Sequence, residues 1–199
     1  AHLHQRLRQA DEQAQVLEAS HHAAHDLAEQ ARLQRALDEA REPRLRAISG
    51  NIAMPGFTAP KLKWVAAHEP EVFAATRTVL LPKDYVRLQM TGEKASDMSD
   101  AAGTLWLDVA RRAWSEELLA ATLLSADQMP QLVEGTDITG KLRADVAELW
   151  GMGGVPVAGG GGDNAAGAVG VGVVQDGDAL LSLGTSGVIF VAAPEFRPD

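Results

Sequence analysis

Val155-Pro156-Val157-Ala158-Gly159-Gly160-Gly161-Gly162-Asp163-Asn164-Ala165-Ala166-Gly167-Ala168-Val169-Gly170 sets a short extended-prone run, four consecutive glycines, an acid-amide pair and an Ala/Gly-rich segment one after another. The first four residues predict a strand and the last six a closely packed helix, so the glycines and Asp163 fall in a strand-to-helix turn. Such turns place polar groups beside a crevice in α/β folds. A second one is predicted upstream, where Thr78-Val79-Leu80-Leu81 reads as a strand and 83–88 as a helix leaving its end. The fold class predicted is therefore α/β.

Towards the C-terminus, the apolar runs 179–183 and 188–191 flank a Gly184-Thr185-Ser186-Gly187 turn and predict a β-hairpin, with a second domain beginning near residue 171. Towards the N-terminus, 141–150 predicts a surface helix packed through Leu142, Val146 and Trp150, and 114–124 predicts another. Residues 133–138 read as a connection. Ser96-Asp97-Met98-Ser99-Asp100 supplies small polar groups suited to capping a helix. Residues 60–69 predict an amphipathic helix with Leu62, Val65 and Ala66 on one face, and Pro60 suits its first turn. Pro43 predicts a break and 49–56 a loop. Residues 1–41 consist mostly of helix-tolerant types and predict one long helix or a helical hairpin with a thin apolar stripe.

Of the 199 residues, 46% are hydrophobic and 23% charged, enough to bury a sizeable core. A net charge of −9 repels a phosphate backbone, which argues against nucleic acid as a partner. There is no cysteine, so disulfides and thiolate metal sites are excluded. No apolar run is long enough to span a bilayer and no secretory leader is legible, so a soluble, cytoplasmic protein without a membrane partner is expected.

Two places invite chemistry. Asp163 carries a carboxylate able to accept a proton from an attacking hydroxyl, the preceding glycines leave room for a substrate, and Asn164 adds a donor and an acceptor. Helix capping is the competing use of the same acid. The Gly184-Thr185-Ser186-Gly187 turn offers amides and two hydroxyls to phosphate oxygens, although an ordinary hairpin turn has the same composition. No Walker sequence or dinucleotide fingerprint is present. His21 and His25 share a helical spacing, but without a third ligand they read as solvated, and Trp64, Trp106, Trp114 and Trp150 read first as packing residues.

Five ordered segments, 54–65, 80–85, 95–104, 160–170 and 181–187, closely resemble the FGGY family of carbohydrate kinases. The resemblance covers about 51–199 and implies a partial actin-like (ribonuclease H-like) kinase fold, two domains flanking a catalytic cleft. It divides the chain into a helical segment of uncertain origin (1–50), the remainder of an N-terminal sugar-binding domain (51–170) and the start of a C-terminal nucleotide-binding domain (171–199). It implies Asp163 as catalytic base, Gly184, Thr185, Ser186 and Gly187 as the phosphate-binding hairpin, and Gly162, Asn164 and Phe57 on the sugar side. Phe57, Lys61, Asp97 and Ser99 would shape or brace the sugar-binding domain.

The reaction implied is transfer of the ATP γ-phosphate, with Mg²⁺, to the 5-hydroxyl of D-xylulose. L-ribulose or another small polyol is the alternative substrate, and a non-catalytic sugar-binding or structural remnant the alternative role. The family's initial strand with its Asp-x-Gly-Thr segment, its Met-His segment and its Trp-Asn-Asp-x-Arg segment have no counterpart in 1–50. Both domains are therefore expected to be incomplete, the chain inactive alone, and its cut apolar surfaces prone to pairing, a homodimer included.

Overall fold

The computed structural model describes residues 43–184 and 187–198. The predicted helix or hairpin over 1–41 and the histidines in it lie outside the described residues, as do Thr185 and Ser186. A helix over 43–49 (α1) opens the described part with Pro43 in it, and the break expected there adjoins residues outside the described ones. There follow α2 (Thr58–His68), α3 (Pro70–Ala75), α4 (Pro82–Thr91), β1 (Ala95–Asp97), α5 (Met98–Ala102), β2 (Leu107–Asp108), β3 (Ala113–Trp114), α6 (Glu116–Ala120), a 3₁₀ turn (Ala126–Gln128), β4 (Gln131–Val133), β5 (Ile138–Lys141), α7 (Ala144–Trp150), β6 (Pro156–Ala158), α8 (Asp163–Gly170), β7 (Ala179–Leu183) and β8 (Gly187–Val191).

The mixed α/β class holds. β1 and β4 pair in parallel, with Ser96 opposite Leu132. A parallel pair requires a long crossover; here it carries α5, the antiparallel β2–β3 pair and α6. β5–β6 and β7–β8 are antiparallel, the latter in register from Ala179–Val191 to Leu183–Gly187. Among the described residues no helix is long and apolar enough to cross a membrane.

Three expectations need correction. Thr78–Leu81 forms no strand: the Val79 N–H donates to the Gln128 carbonyl at 2.9 Å, but Gln128 ends a 3₁₀ turn, which offers one acceptor and no strand edge. The helix expected over 114–124 is cut at both ends. Trp114 pairs with Leu107, Ser115 Oγ accepts the Leu118 N–H and starts α6 at Glu116, and Leu123 adopts φ 63° just beyond. In α7 the burial falls on Ala147, with Leu142 just ahead of the helix, while Trp150 in the last turn is 51% exposed. The connection expected over 133–138 is the turn between β4 and β5, two strands that the sequence did not suggest.

The core gathers Leu45 and Ile48 of α1, Ala59 of α2, Leu105, Trp106, Leu118, Leu119 and Leu124, with Phe57, Phe73 and Trp114 packed against it. Trp106 is fully buried, and its indole N–H donates to Thr122 Oγ1 at 2.9 Å. The Thr122 hydroxyl in turn donates to the Leu119 carbonyl. Thr122→Val keeps the shape but strands the indole N–H, which costs about 1–3 kcal/mol. A lower urea midpoint for the variant is expected, and an unchanged midpoint would mean that Trp106 finds another acceptor.

Candidate functional site

The predicted strand-to-helix turn is present. β6 ends at Ala158, the glycines follow, and α8 begins at Asp163 with Gly162 as its N-cap. The cap position thus falls to a residue without a side chain. Asp163 is exposed in the first helical turn, where its Oδ1 accepts the Asn164 N–H at 2.8 Å and the Asn164 side-chain amide at 3.3 Å. A carboxylate at a helix N-terminus sits in a favourable backbone field.

The glycine run is packed where side chains would not fit. A Cβ on Gly159 would lie 2.6 Å from the Glu134 carbonyl oxygen, and one on Gly135 2.4 Å from that of Gly160. Backbone bonds from Gly159 to Asp137 (2.9 Å) and from Gly160 to Gly135 (3.0 Å) hold the run against the β4–β5 turn. Alongside lies a cleft of about 700 Å³, lined by Ser99, Arg112, Glu134, Thr136, Gly160 and Ala166 among others. Arg112 and Glu134 form an ion pair there.

Against the run also lies a charge cluster that the sequence did not announce as a unit. Lys83, in the first turn of α4, places Nζ 2.6 Å from Asp84 Oδ1, 2.9 Å from Asp97 Oδ1 and 3.8 Å from Asp100 Oδ2, and donates to the Gly159 carbonyl at 3.4 Å. Asp97 is the N-cap of α5, as expected of the 96–100 segment, and its Oδ2 accepts the Ser99 and Asp100 amides and the Ser99 hydroxyl. Burial opposes ionisation of Asp97, but bonds from Ser99, Lys83 and the Asp100 amide outweigh it and hold the carboxyl below its ordinary range. Burial likewise opposes the charge on Lys83, yet Asp84 and Asp97 hold its pKa above the usual lysine value. Asp100 is pushed up, first by burial and then by Asp97, Asp84 and Asp163, which exceed the opposing pull of Lys83.

Gly162, Asp163 and Asn164 thus stand together at the start of α8, between Gly161 and Ala165, which line the cleft, while none of the three lines it. Phe57 does not join them: it is the N-cap of α2 and packs against the core. Gly184 and Gly187 close the described ends of the hairpin, whose Thr185 and Ser186 are not among the described residues. Lys83 is what the sequence missed. The available signal was one lysine amid Asp84, Asp97 and Asp100, but 14 and 17 positions separate it from the last two, and only the β1–α4 packing makes them neighbours. Among the described residues no group of three or more His, Asp or Glu is placed to hold a metal ion.

Residues 10–170 match the FGGY family of carbohydrate kinases, N-terminal domain, a span that begins inside the helical segment of uncertain origin. The chain is 65% identical over 158 residues to the xylulose kinase of Escherichia coli (strain K12), covering 79% of this chain and 33% of the relative. To the xylulose kinase of Klebsiella pneumoniae it is 65% identical over 151 residues, covering 76% and 31%. Among solved structures, a xyloylose kinase from Brucella ovis superposes with a TM-score of 0.82 at 57% identity, over 85% of this chain and 35% of that one. The xylulose kinase from Rhodospirillum rubrum does so with a TM-score of 0.78 at 30% identity, over 84% and 34%. The chain therefore spans about a third of the length of the relatives it matches.

Proposed function

The chain belongs to the FGGY family of carbohydrate kinases, and on that premise we propose that the protein containing it transfers the γ-phosphate of ATP to D-xylulose, giving D-xylulose 5-phosphate and ADP. The xylulose kinases of E. coli and K. pneumoniae, at 65% identity, support that choice of sugar. One observation carries the mechanism: an exposed carboxylate, Asp163, on the first turn of a helix that directly follows a glycine run.

In this reading the sugar hydroxyl oxygen attacks the γ-phosphorus, the bond from that phosphorus to the β–γ bridging oxygen breaks, and the hydroxyl proton passes to Asp163. Asn164, next to the acid, orients the sugar, and Gly162 lets it approach. The turn from Gly184 through Thr185 and Ser186 to Gly187 holds phosphate oxygens, and Phe57 supports the sugar-binding part from the core. Residues 51–170 would then belong to the sugar-binding domain and 171–199 to the nucleotide-binding one. Mg²⁺ carried with the nucleotide would neutralise phosphate charge; among the described residues no group of three or more His, Asp or Glu is placed to hold an ion.

A panel of D-xylulose, L-ribulose and small polyols offered to the full-length protein with ATP tests the assignment. D-xylulose is expected to give the highest kcat/KM, and turnover of another sugar with D-xylulose inert would remove it.

A further inference from the structure

We propose that Asp97, Lys83 and Ser99 form a two-point clamp on the Gly159–Gly162 run, and that Ser99 is the positioning residue through which the clamp sets the place of Asp163. The inference rests on the reading of Asp163 as the base. Its geometric part is independent of that reading.

The two oxygens of one buried carboxylate serve the two ends of the run. Asp97 Oδ1 faces Lys83 Nζ at 2.9 Å, and the same ammonium donates to the Gly159 carbonyl at 3.4 Å. The lysine stem also lies along the loop, with its Cδ 3.4 Å from where a Gly160 Cβ would be. Asp97 Oδ2 accepts the Ser99 hydroxyl at 2.5 Å, and Ser99 Oγ accepts the Gly162 N–H at 3.0 Å.

The polarity of this chain is forced. An amide N–H can only donate and a carboxylate can only accept, so the single hydroxyl proton of Ser99 points to Asp97 and its lone pair to Gly162. Helix capping accounts for the bonds from the Ser99 and Asp100 amides to Asp97. It does not account for a hydroxyl tied to an amide 63 positions away, or for a lysine from a different helix on the other oxygen.

Glycine loses more freedom on being ordered than any other residue, and four stand in a row before Asp163. Side chains from outside the run, Lys83 at Gly159 and Ser99 at Gly162, supply that order here. Asp163 is the next residue after the clamped Gly162, so any looseness there passes directly to its carboxylate. A misplacement of about 1 Å in a reacting group costs on the order of 10²-fold in rate.

The test compares Ser99→Ala and Ser99→Thr in the full-length protein. Ser99→Ala is expected to speed hydrogen exchange at the Gly162 amide on the order of tenfold, and to lower kcat on the order of tenfold with the sugar KM within about twofold. Ser99→Thr, which keeps the hydroxyl, is expected to recover most of both. In an Asp163→Asn background Ser99→Ala should lower the residual turnover no further, because the clamp acts through that carboxylate. Unchanged exchange at Gly162 overturns the proposal, as does an equal loss of kcat in the Asp163→Asn background. If Asp163→Asn alone retains normal turnover, the base assignment falls, while exchange at Gly162 still decides whether the clamp exists.

Discussion

Asp163→Asn in the full-length protein is expected to lower phosphoryl transfer to the sugar by about 10²–10⁴-fold, the range for loss of a positioned general base. The substitution isolates the proton-accepting function. The amide oxygen can still accept the Asn164 N–H that Asp163 Oδ1 accepts now, and Gly162 remains the N-cap, so α8 should form as before. What disappears is an atom that can take up the hydroxyl proton as the oxygen attacks phosphorus. Rates of ADP release with saturating sugar, alongside circular dichroism to verify folding, provide the measurement. Turnover within a few fold of the parent would show that the proton leaves by another route and that Asp163 serves only to position the sugar.

Asp163 and its turn were legible because their determinants are local. A strand-prone tetrapeptide, a run of glycines and an Ala/Gly-rich segment dictate strand, turn and helix over 155–170 without distant help, and the α8 boundary follows. The β7–β8 hairpin was legible for the same reason. Asp97 as a helix cap could also be read locally, since capping involves amides two and three positions on. Thr78–Leu81 was misread because strand propensity becomes a strand only against a partner edge, and Gln128 provides one carbonyl. Trp114 was assigned to a helix because its apolar spacing continues into α6, whereas pairing with Leu107 takes it into β3. The Lys83 cluster lay beyond reach for a related reason: α4, β1 and the glycine run come from three separate parts of the chain, and charge complementarity among them exists only once they pack.

Asp97→Ala is expected to destabilise the protein by about 1–3 kcal/mol, the cost of losing the α5 N-cap, about 1 kcal/mol by itself, together with the Ser99 hydroxyl bond made by the same carboxylate. Asp84 remains 2.6 Å from Lys83 Nζ and keeps the ammonium paired, so the loss falls on the bonds that the 1%-exposed Asp97 accepts. Asp97→Asn retains an acceptor for the amides and Ser99 but not the charge facing Lys83, and its cost should be the smaller of the two. The pH dependence distinguishes charge from packing. Because the folded pKa of Asp97 is depressed, the stability from its ionised form is fully present above the unfolded carboxylate value and is lost as pH falls through the lower folded value. Asp100 acts in the opposite sense: its folded pKa is raised, so acidification first protonates it in the folded state and adds stability before the Asp97 contribution begins to fail. The difference in unfolding free energy between the parent and Asp97→Ala, followed by denaturant titration and tryptophan fluorescence, should therefore hold steady near neutrality and shrink below about pH 4. A difference that stays constant into strong acid would mean that Asp97 stabilises by shape and hydrogen bonding alone, and that the charge of Lys83 opposite it contributes nothing.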